Sequence, residues 1–140
     1  ATSRSDASCS ATLAGAVPAI FAGPGEAERA MAAPLLAALP GAIDLVGRLS
    51  LPQAAACLRR VALFVGNDSG LMHLAAAAGA PTLGLFGPTN AAEYAPSGRL
   101  AAAVLAPASP DGTAARMDAL SVTAAEAAAR ALLAHDALVA

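Results

Sequence analysis

Three residues that suit phosphate and sugar binding follow one another after a short apolar run. Asp68, Ser69 and Gly70 come just beyond Val61–Val65, and His73 lies four residues after Ser69. A helix that begins here offers free backbone N–H groups and the positive end of its dipole to an anion. Gly70 has no β-carbon, so a phosphate can approach its backbone closely, while the Ser69 hydroxyl adds a donor. On this interpretation Asp68 accepts hydrogen bonds from the hydroxyls of a bound sugar.

The same residues have a plain structural interpretation. Asp68 can simply cap the helix, and His73 can fill space against the next loop. Capped helices are far commoner than phosphate sites, so the residue types alone favour the structural role.

A second turn follows the next apolar run, Thr82–Phe86. Gly87, Pro88 and Thr89 end this run, and Thr89 adds a hydroxyl. If the two runs are neighbouring parallel strands, both turns lie at their carboxyl ends, where open α/β sheets bind ligands. Gly87 and Thr89 are therefore candidate site residues, although Gly-Pro-Thr can also be only a turn.

The predicted elements alternate between strand and helix. We predict strands over 17–22, 42–46, 61–65, 82–86 and 101–105, helices over 26–39, 53–60, 70–78 and 124–138, and loops over 90–100 and 107–117. Pro34 should kink or break its helix. We expect Ser50 and Thr123 to be N-caps. The alternation predicts an α/β fold with a Rossmann-like, doubly wound parallel sheet over 17–140, preceded by an irregular or truncated segment, 1–16.

The composition excludes some classes of function. The chain of 140 residues carries a net charge of -2 and all its cations are arginines, so no basic stripe supports nucleic-acid binding. Charged residues make up 13% of the chain, against roughly 25% in typical soluble domains. We therefore expect one face to be covered by another domain or subunit.

Several motifs are missing from the sequence. It contains no P-loop, no GxGxxG after a strand, no GxSxG and no DxD-type metal motif. Cys9 and Cys57 lack metal-ligand spacing, and we interpret them as spare thiols, with a lone disulfide as the alternative. We predict neither a bound metal nor a cofactor. The N-terminus does not resemble a signal peptide, which makes the cytoplasm the default location.

Residues 66–89, GNDSGLMHLAAAAGAPTLGLFGPT, resemble a motif of the heptosyltransferase family, glycosyltransferase family 9. That family carries D-[ST]-G-x-x-H-L-A-A-A-x-G-x-P-x-x-x-L-[FY]-G-P-T. Weaker similarities lie at 23–29, 43–51 and 117–123, so the resemblance covers about Val17 to Leu133. The central motif is specific enough to favour the ligand-binding interpretation over simple helix capping.

The resemblance implies the C-terminal half of a two-domain GT-B glycosyltransferase, which holds a nucleotide-sugar donor such as ADP-heptose. It places Asp68 at the donor sugar, Ser69 and Gly70 at the diphosphate, and His73 in support. By the same resemblance Leu49 lies against the base, and Glu26 or Glu28 contacts the ribose.

The family resemblance also implies an inverting, metal-independent transfer. The base would be an acidic residue of an N-terminal acceptor domain, so we expect no catalytic residue in this chain, weak donor binding and no transfer. Among residues 1–16 only Arg4 is basic, whereas the family has a basic segment there, often with Lys. The implied acceptor is a lipid-linked, lipopolysaccharide-core-type saccharide. The implied location is cytoplasmic, at the inner face of the inner membrane.

Two other functions stay open at this point. The chain can be a non-catalytic α/β interaction module whose turn has lost its ligand, with a protein partner on its uncharged face. It can also belong to a nucleotide-sugar epimerase of GT-B shape, although an acid–base pair for that reaction is not visible.

Overall fold

The computed structural model of the protein describes residues 15–139, with side chains up to Asp136. Most of the predicted N-terminal segment, 1–16, therefore lies outside the described residues, as do Arg4 and Cys9. The chain divides after Ala54 into two compact units. All five described strands are parallel, as predicted, and they pair within two sheets, one of two strands and one of three.

The first unit is built on a parallel pair of strands. It contains strand β1 (Ala19–Ile20), helix α1 (Glu26–Ala38) and strand β2 (Ile43–Asp44). Backbone hydrogen bonds extend this pair beyond the strands themselves: Leu45 donates to Ile20 and Gly47 donates to Ala22, both at 3.0 Å. The predicted strands 17–22 and 42–46 are thus present as hydrogen-bonded backbone, although their regular parts are shorter.

Helix α1 ends one residue before the predicted 26–39 and runs through Pro34 without a break, so the predicted break is wrong. Pro34 lies on an exposed face of the helix. Water can therefore bind the backbone carbonyl whose partner N–H the proline lacks. The opposite face packs Ala32 against Ile20 and Val46, which form the core of this unit.

The second unit is a three-stranded sheet in the order β3-β4-β5. Its elements, with the preceding helix α2, are α2 (Leu51–Leu58), β3 (Phe64–Asn67), α3 (Gly70–Ala78), β4 (Thr82–Phe86), α4 (Ala91–Tyr94), β5 (Ala101–Leu105), a 3-10 helix (Met117–Ala119) and α5 (Val122–Val139). Strand β4 is central and almost wholly buried. The predicted bounds of α3, β4 and β5 are confirmed.

The strand predicted at 61–65 lies two to three residues later, at Phe64–Asn67. Val61 still belongs to the turn that closes α2, because its N–H donates to the Leu58 carbonyl. Gly66 lies just beyond the predicted strand, and it pairs with Gly84 inside the observed one. Its lack of a side chain makes room for the Phe64 ring, since a β-carbon on Gly66 would lie 2.7 Å from a ring carbon.

Two more helices differ from their predicted bounds. Ser50 is the N-cap of α2, as predicted, and forms a reciprocal capping box with Gln53, so this helix occupies Leu51–Leu58 instead of 53–60. The predicted loop 90–100 contains the short helix α4, capped by Asn90. Helix α5 begins at Val122 instead of 124, and the Ser121 hydroxyl, not that of Thr123, accepts the capping N–H of Ala124.

Candidate functional site

The predicted neighbouring turns leave the same edge of the sheet. Strands β3 and β4 are parallel, and Asn67 at the end of β3 pairs with Leu85, one residue before the end of β4. The turn beginning at Asp68 and the turn beginning at Gly87 therefore both follow carboxyl ends. This is the edge where open parallel sheets bind ligands.

The start of α3 is open to solvent. Ser69 is the N-cap residue in extended conformation, and its hydroxyl accepts the Met72 N–H at 3.4 Å. The first N–H groups of a helix have no acceptor within it, so those of Gly70 and Leu71 are free of intrahelical partners. A β-carbon built on Gly70 meets no atom within 4 Å. An anion can therefore reach these N–H groups.

Asp68 faces His73 across the first turn of α3. The Nε2 atom of His73 lies 3.6 Å from Oδ1 of Asp68, and their side chains are 48% and 19% exposed. Because Ser69 caps the helix, Asp68 does not have the plain capping role. The His73 side chain is half exposed. The backbone N–H of His73 donates to the Ser69 carbonyl, as expected for residues on one helix face.

Gly87 has a packing role that the sequence did not predict. A β-carbon on Gly87 would lie 2.8 Å from the backbone nitrogen of Met117. The backbone of the 3-10 helix therefore packs directly onto the turn after β4. Thr89, two residues further on, is exposed, and its hydroxyl is accessible to a ligand.

A cleft of about 530 Å³ adjoins this turn, and apart from the turn it is lined by residues that were not predicted as site residues. It is lined by Pro88 and by residues 114–118. Arg116 and Asp118 are its charged lining residues, and Arg116 donates two hydrogen bonds to Asp118, at 3.0 and 2.7 Å. These bonds lower the pKa of the Asp118 carboxyl below its ordinary value. Asp68, Ser69 and His73 do not line this cleft, which is therefore a separate feature from the start of α3.

Glu26 and Leu49 belong to the first unit. Glu26 is the first residue of α1, after Gly25, and Leu49 lies in the loop that follows β2. The loop after β2 contacts the loop between β1 and α1, because a β-carbon on Gly47 would come within 3.2 Å of Pro24 Cα. The predicted site residues thus form two groups: Glu26 with Leu49, and Asp68, Ser69, Gly70 and His73 with Gly87 and Thr89.

No three His, Cys, Asp or Glu side chains are grouped to hold a metal ion within residues 15–139. In that same part of the chain no helix is long and apolar enough to cross a membrane.

The fully buried Thr82 hydroxyl donates to the Ala80 carbonyl at 2.8 Å. Cys57 is a partly buried free cysteine.

Parallel strands joined by helices, with the polar turns at their carboxyl edge, define an α/β protein with a Rossmann-like fold. Two solved structures share this fold. The crystal structure of the glycosyl transferase family 9 from Veillonella parvula superposes with a TM-score of 0.80 and 26% identity over 94% of this chain. E. coli ADP-heptose lps heptosyltransferase II superposes with a TM-score of 0.71 and 22% identity over 93% of it.

The family model described as glycosyltransferase family 9 (heptosyltransferase) matches residues 14–121. The chain belongs to this family, which confirms the resemblance found in its sequence. Lipopolysaccharide heptosyltransferase 1 of Pseudomonas aeruginosa is 52% identical over 64 residues, 46% of this chain. Lipooligosaccharide heptosyltransferase 2 of Haemophilus influenzae is 41% identical over 54 residues, 39% of this chain.

The chain spans only part of these proteins. The aligned segments cover 18% and 15% of the two relatives, and the chain covers 40% of each solved structure.

Proposed function

We propose that this chain is the donor-binding part of an inverting, metal-independent glycosyltransferase. The donor would be ADP-heptose or a related nucleotide-sugar, and the acceptor a lipopolysaccharide-core-type saccharide at the inner face of the inner membrane. One observation carries the proposal. The open start of α3, with Asp68 and His73 beside it, lies at the carboxyl edge of a parallel sheet in a chain of this family.

Ser69 and Gly70 are the proposed diphosphate contacts. Helix N-termini bind phosphates through free N–H groups and the helix dipole, and Gly70 leaves the space above these groups open. The capping bond of Ser69 uses an acceptor lone pair of its hydroxyl. The hydroxyl proton therefore remains available for donation to a phosphate oxygen.

Asp68 is the proposed contact for the donor sugar. A carboxylate accepts hydrogen bonds, which suits sugar hydroxyls and would repel a phosphate. His73, whose Nε2 lies 3.6 Å from Oδ1 of this carboxylate, is the proposed supporting residue. Gly87 and Thr89, in the adjacent turn after β4, would line the donor site. In the first unit, Leu49 would lie against the base and Glu26 would contact the ribose.

The transfer itself would be a direct displacement. An acceptor oxygen attacks the anomeric carbon, the bond from that carbon to the diphosphate breaks, and the nucleoside diphosphate leaves. Negative charge grows on the leaving oxygen, where the N–H groups at the start of α3 stabilise it. The acceptor proton passes to a base that we assign to an N-terminal acceptor domain. The chain alone therefore binds donor and transfers nothing.

Calorimetric titration with ADP-heptose and with ADP, UDP and GDP tests this proposal. Binding should saturate, and Asp68→Ala and Ser69→Ala should each weaken ADP-heptose binding roughly tenfold, the effect of about 1.4 kcal/mol from one lost polar contact. Ser121→Ala is the matched control, because Ser121 also caps a helix and has no proposed donor contact. A folded chain that binds none of these ligands would contradict the proposal and favour a non-catalytic interaction module.

A further inference from the structure

One arginine ties α1 to the backbone that follows β2. Arg29 lies in the first turn of α1, and its Nη1 donates to Oδ2 of Asp44 at 2.7 Å. Its Nη2 donates to the Val46 carbonyl at 2.8 Å. The other oxygen of Asp44 accepts the Val46 N–H at 3.1 Å. Arg29, Asp44 and the Val46 backbone therefore form a closed ring of three hydrogen bonds.

The loop after β2 is also held against the loop after β1. Gly47 has a φ of 66°, which favours glycine, and its N–H donates to the Ala22 carbonyl at 3.0 Å. A β-carbon on Gly47 would lie 3.2 Å from Pro24 Cα. The Val46 side chain, 3% exposed, anchors the loop in the core of the first unit. The start of the loop therefore has little freedom to move relative to Gly23–Gly25.

The far end of this loop is fixed by the capping box at α2. The Gln53 side chain accepts the Ser50 N–H at 2.9 Å, and the Ser50 hydroxyl accepts the Gln53 N–H at 3.4 Å. Leu49 thus lies between two fixed parts of the backbone, the hydrogen-bonded ring at Val46 and the capping box at Ser50.

We propose that Arg29 and Asp44 are positioning residues for the nucleoside part of the donor. They hold the loop that carries Leu49 against the loop that leads into Glu26. This inference rests on the proposed function, in which Leu49 lies against the base and Glu26 contacts the ribose. A loop ordered before binding does not lose conformational entropy when the ligand arrives, so the ring raises affinity without touching the ligand.

The exposure of the pair separates this role from a purely structural one. The Arg29 and Asp44 side chains are 44% and 27% exposed. Ion pairs with this much exposure contribute little to the free energy of unfolding. Removing the ring should therefore leave the thermal midpoint nearly unchanged while the affinity for nucleotide falls.

The test is ADP binding by Arg29→Met and Asp44→Asn in the 140-residue chain. We expect the Kd for ADP to rise roughly three- to tenfold in both, with Arg29→Lys in between because lysine keeps one donor. Arg130→Met is the matched control. This substitution removes the 2.7 Å ion pair between Arg130 and Glu126, whose side chains are 51% and 32% exposed, respectively. It should leave ADP binding unchanged.

ADP affinity in Arg29→Met equal to that of the unmodified chain overturns the inference. If the unmodified chain itself fails to bind ADP, the proposed function is contradicted, and hydrogen exchange without ligand decides on the ring. Faster exchange of the Val46, Gly47 and Arg48 amides in Arg29→Met, and not in Arg130→Met, then shows that the ring orders the loop. Equal exchange in both variants overturns it.

Discussion

The Nε2 atom of His73 lies 3.6 Å from Oδ1 of Asp68, across the first turn of α3. Because Ser69 is the helix cap, this carboxylate is left without a capping role at the point where the helix N–H groups are exposed. A negative side chain beside the proposed anion site must face something other than the anion. This arrangement underlies the assignment of Asp68 to the donor sugar.

Asp68→Asn should therefore distinguish the contribution of the sugar to binding from that of the nucleotide. Asparagine keeps the shape of the side chain but loses the charge and one strong acceptor, so ADP-heptose should bind roughly tenfold more weakly, or about 1.4 kcal/mol. ADP has no sugar beyond its diphosphate and should bind Asp68→Asn as tightly as the unmodified chain, or slightly more tightly. Competition titrations with both ligands give this comparison, and an equal loss for both would argue against a sugar contact.

Gly70→Ala should reduce nucleotide affinity without harming the fold. No atom lies within 4 Å of the added methyl group, and the helix start does not require a positive φ at this position. The methyl group would occupy the space through which a phosphate approaches the backbone. We expect an unchanged or slightly higher thermal midpoint together with weaker ADP binding. Unchanged ADP affinity would place the phosphate elsewhere.

Gly87→Ala should lower stability, which Gly70→Ala should not. Its β-carbon would lie 2.8 Å from the Met117 nitrogen and 3.1 Å from the Met117 Cα, so backbone must move. Such overpacking costs about 1–3 kcal/mol. Chemical denaturation should show this loss, with Gly70→Ala as the control. A stability equal to that of the unmodified chain would mean that the 3-10 helix is not fixed on the turn.

The ion pair at Asp44 should make stability depend on pH. The hydrogen bond from Arg29, the Val46 N–H and the charges of Arg29 and Arg48 together lower the pKa of Asp44 below its ordinary 3.8, although desolvation opposes them. The folded state thus favours the carboxylate. Its contribution to stability is fully present above the ordinary pKa and is lost as the pH falls through the lowered value.

Thermal midpoints of the unmodified chain and Asp44→Asn, measured from pH 6 down to acid, test this direction of the pH dependence. Because the pair is partly exposed the difference should be small, but it should be constant down to about pH 5 and shrink below about pH 4. Asp118→Asn gives a second comparison, because Arg116 lowers the pKa of Asp118 in the same way. A difference that grows in acid would contradict the assignment.

The elements that the sequence predicted best are those with local signals at both ends. Helix α3 has Ser69 as its cap and Gly79, in left-handed conformation, as its end, and both bounds are as predicted. Strand β4 is bounded by Pro81 and Gly87, and it too is as predicted. Here the chain's own turn chemistry determines the boundaries.

Other features depend on contacts between separate elements. Gly66 is a strand breaker by propensity, yet pairing with Gly84 and the overlying Phe64 ring keep it extended. The packing of Gly87 on Met117 joins residues far apart in sequence, so no local pattern could indicate it. The ring at Asp44 was missed for the same reason. Its signal, an acidic residue at a strand end and an arginine in a preceding helix, is common on solvated surfaces.

The most direct test of the proposed donor site is to locate the nucleotide on the chain. In amide-resolved NMR of the labelled 140-residue chain, ADP should shift the backbone signals of Ser69, Gly70 and Leu71 in a saturable way. Ala124 and Ala125, at the start of α5, should stay in place as the comparison helix N-terminus. Saturation of ADP binding without movement of the three signals at the start of α3 would contradict the proposed diphosphate contacts at Ser69 and Gly70.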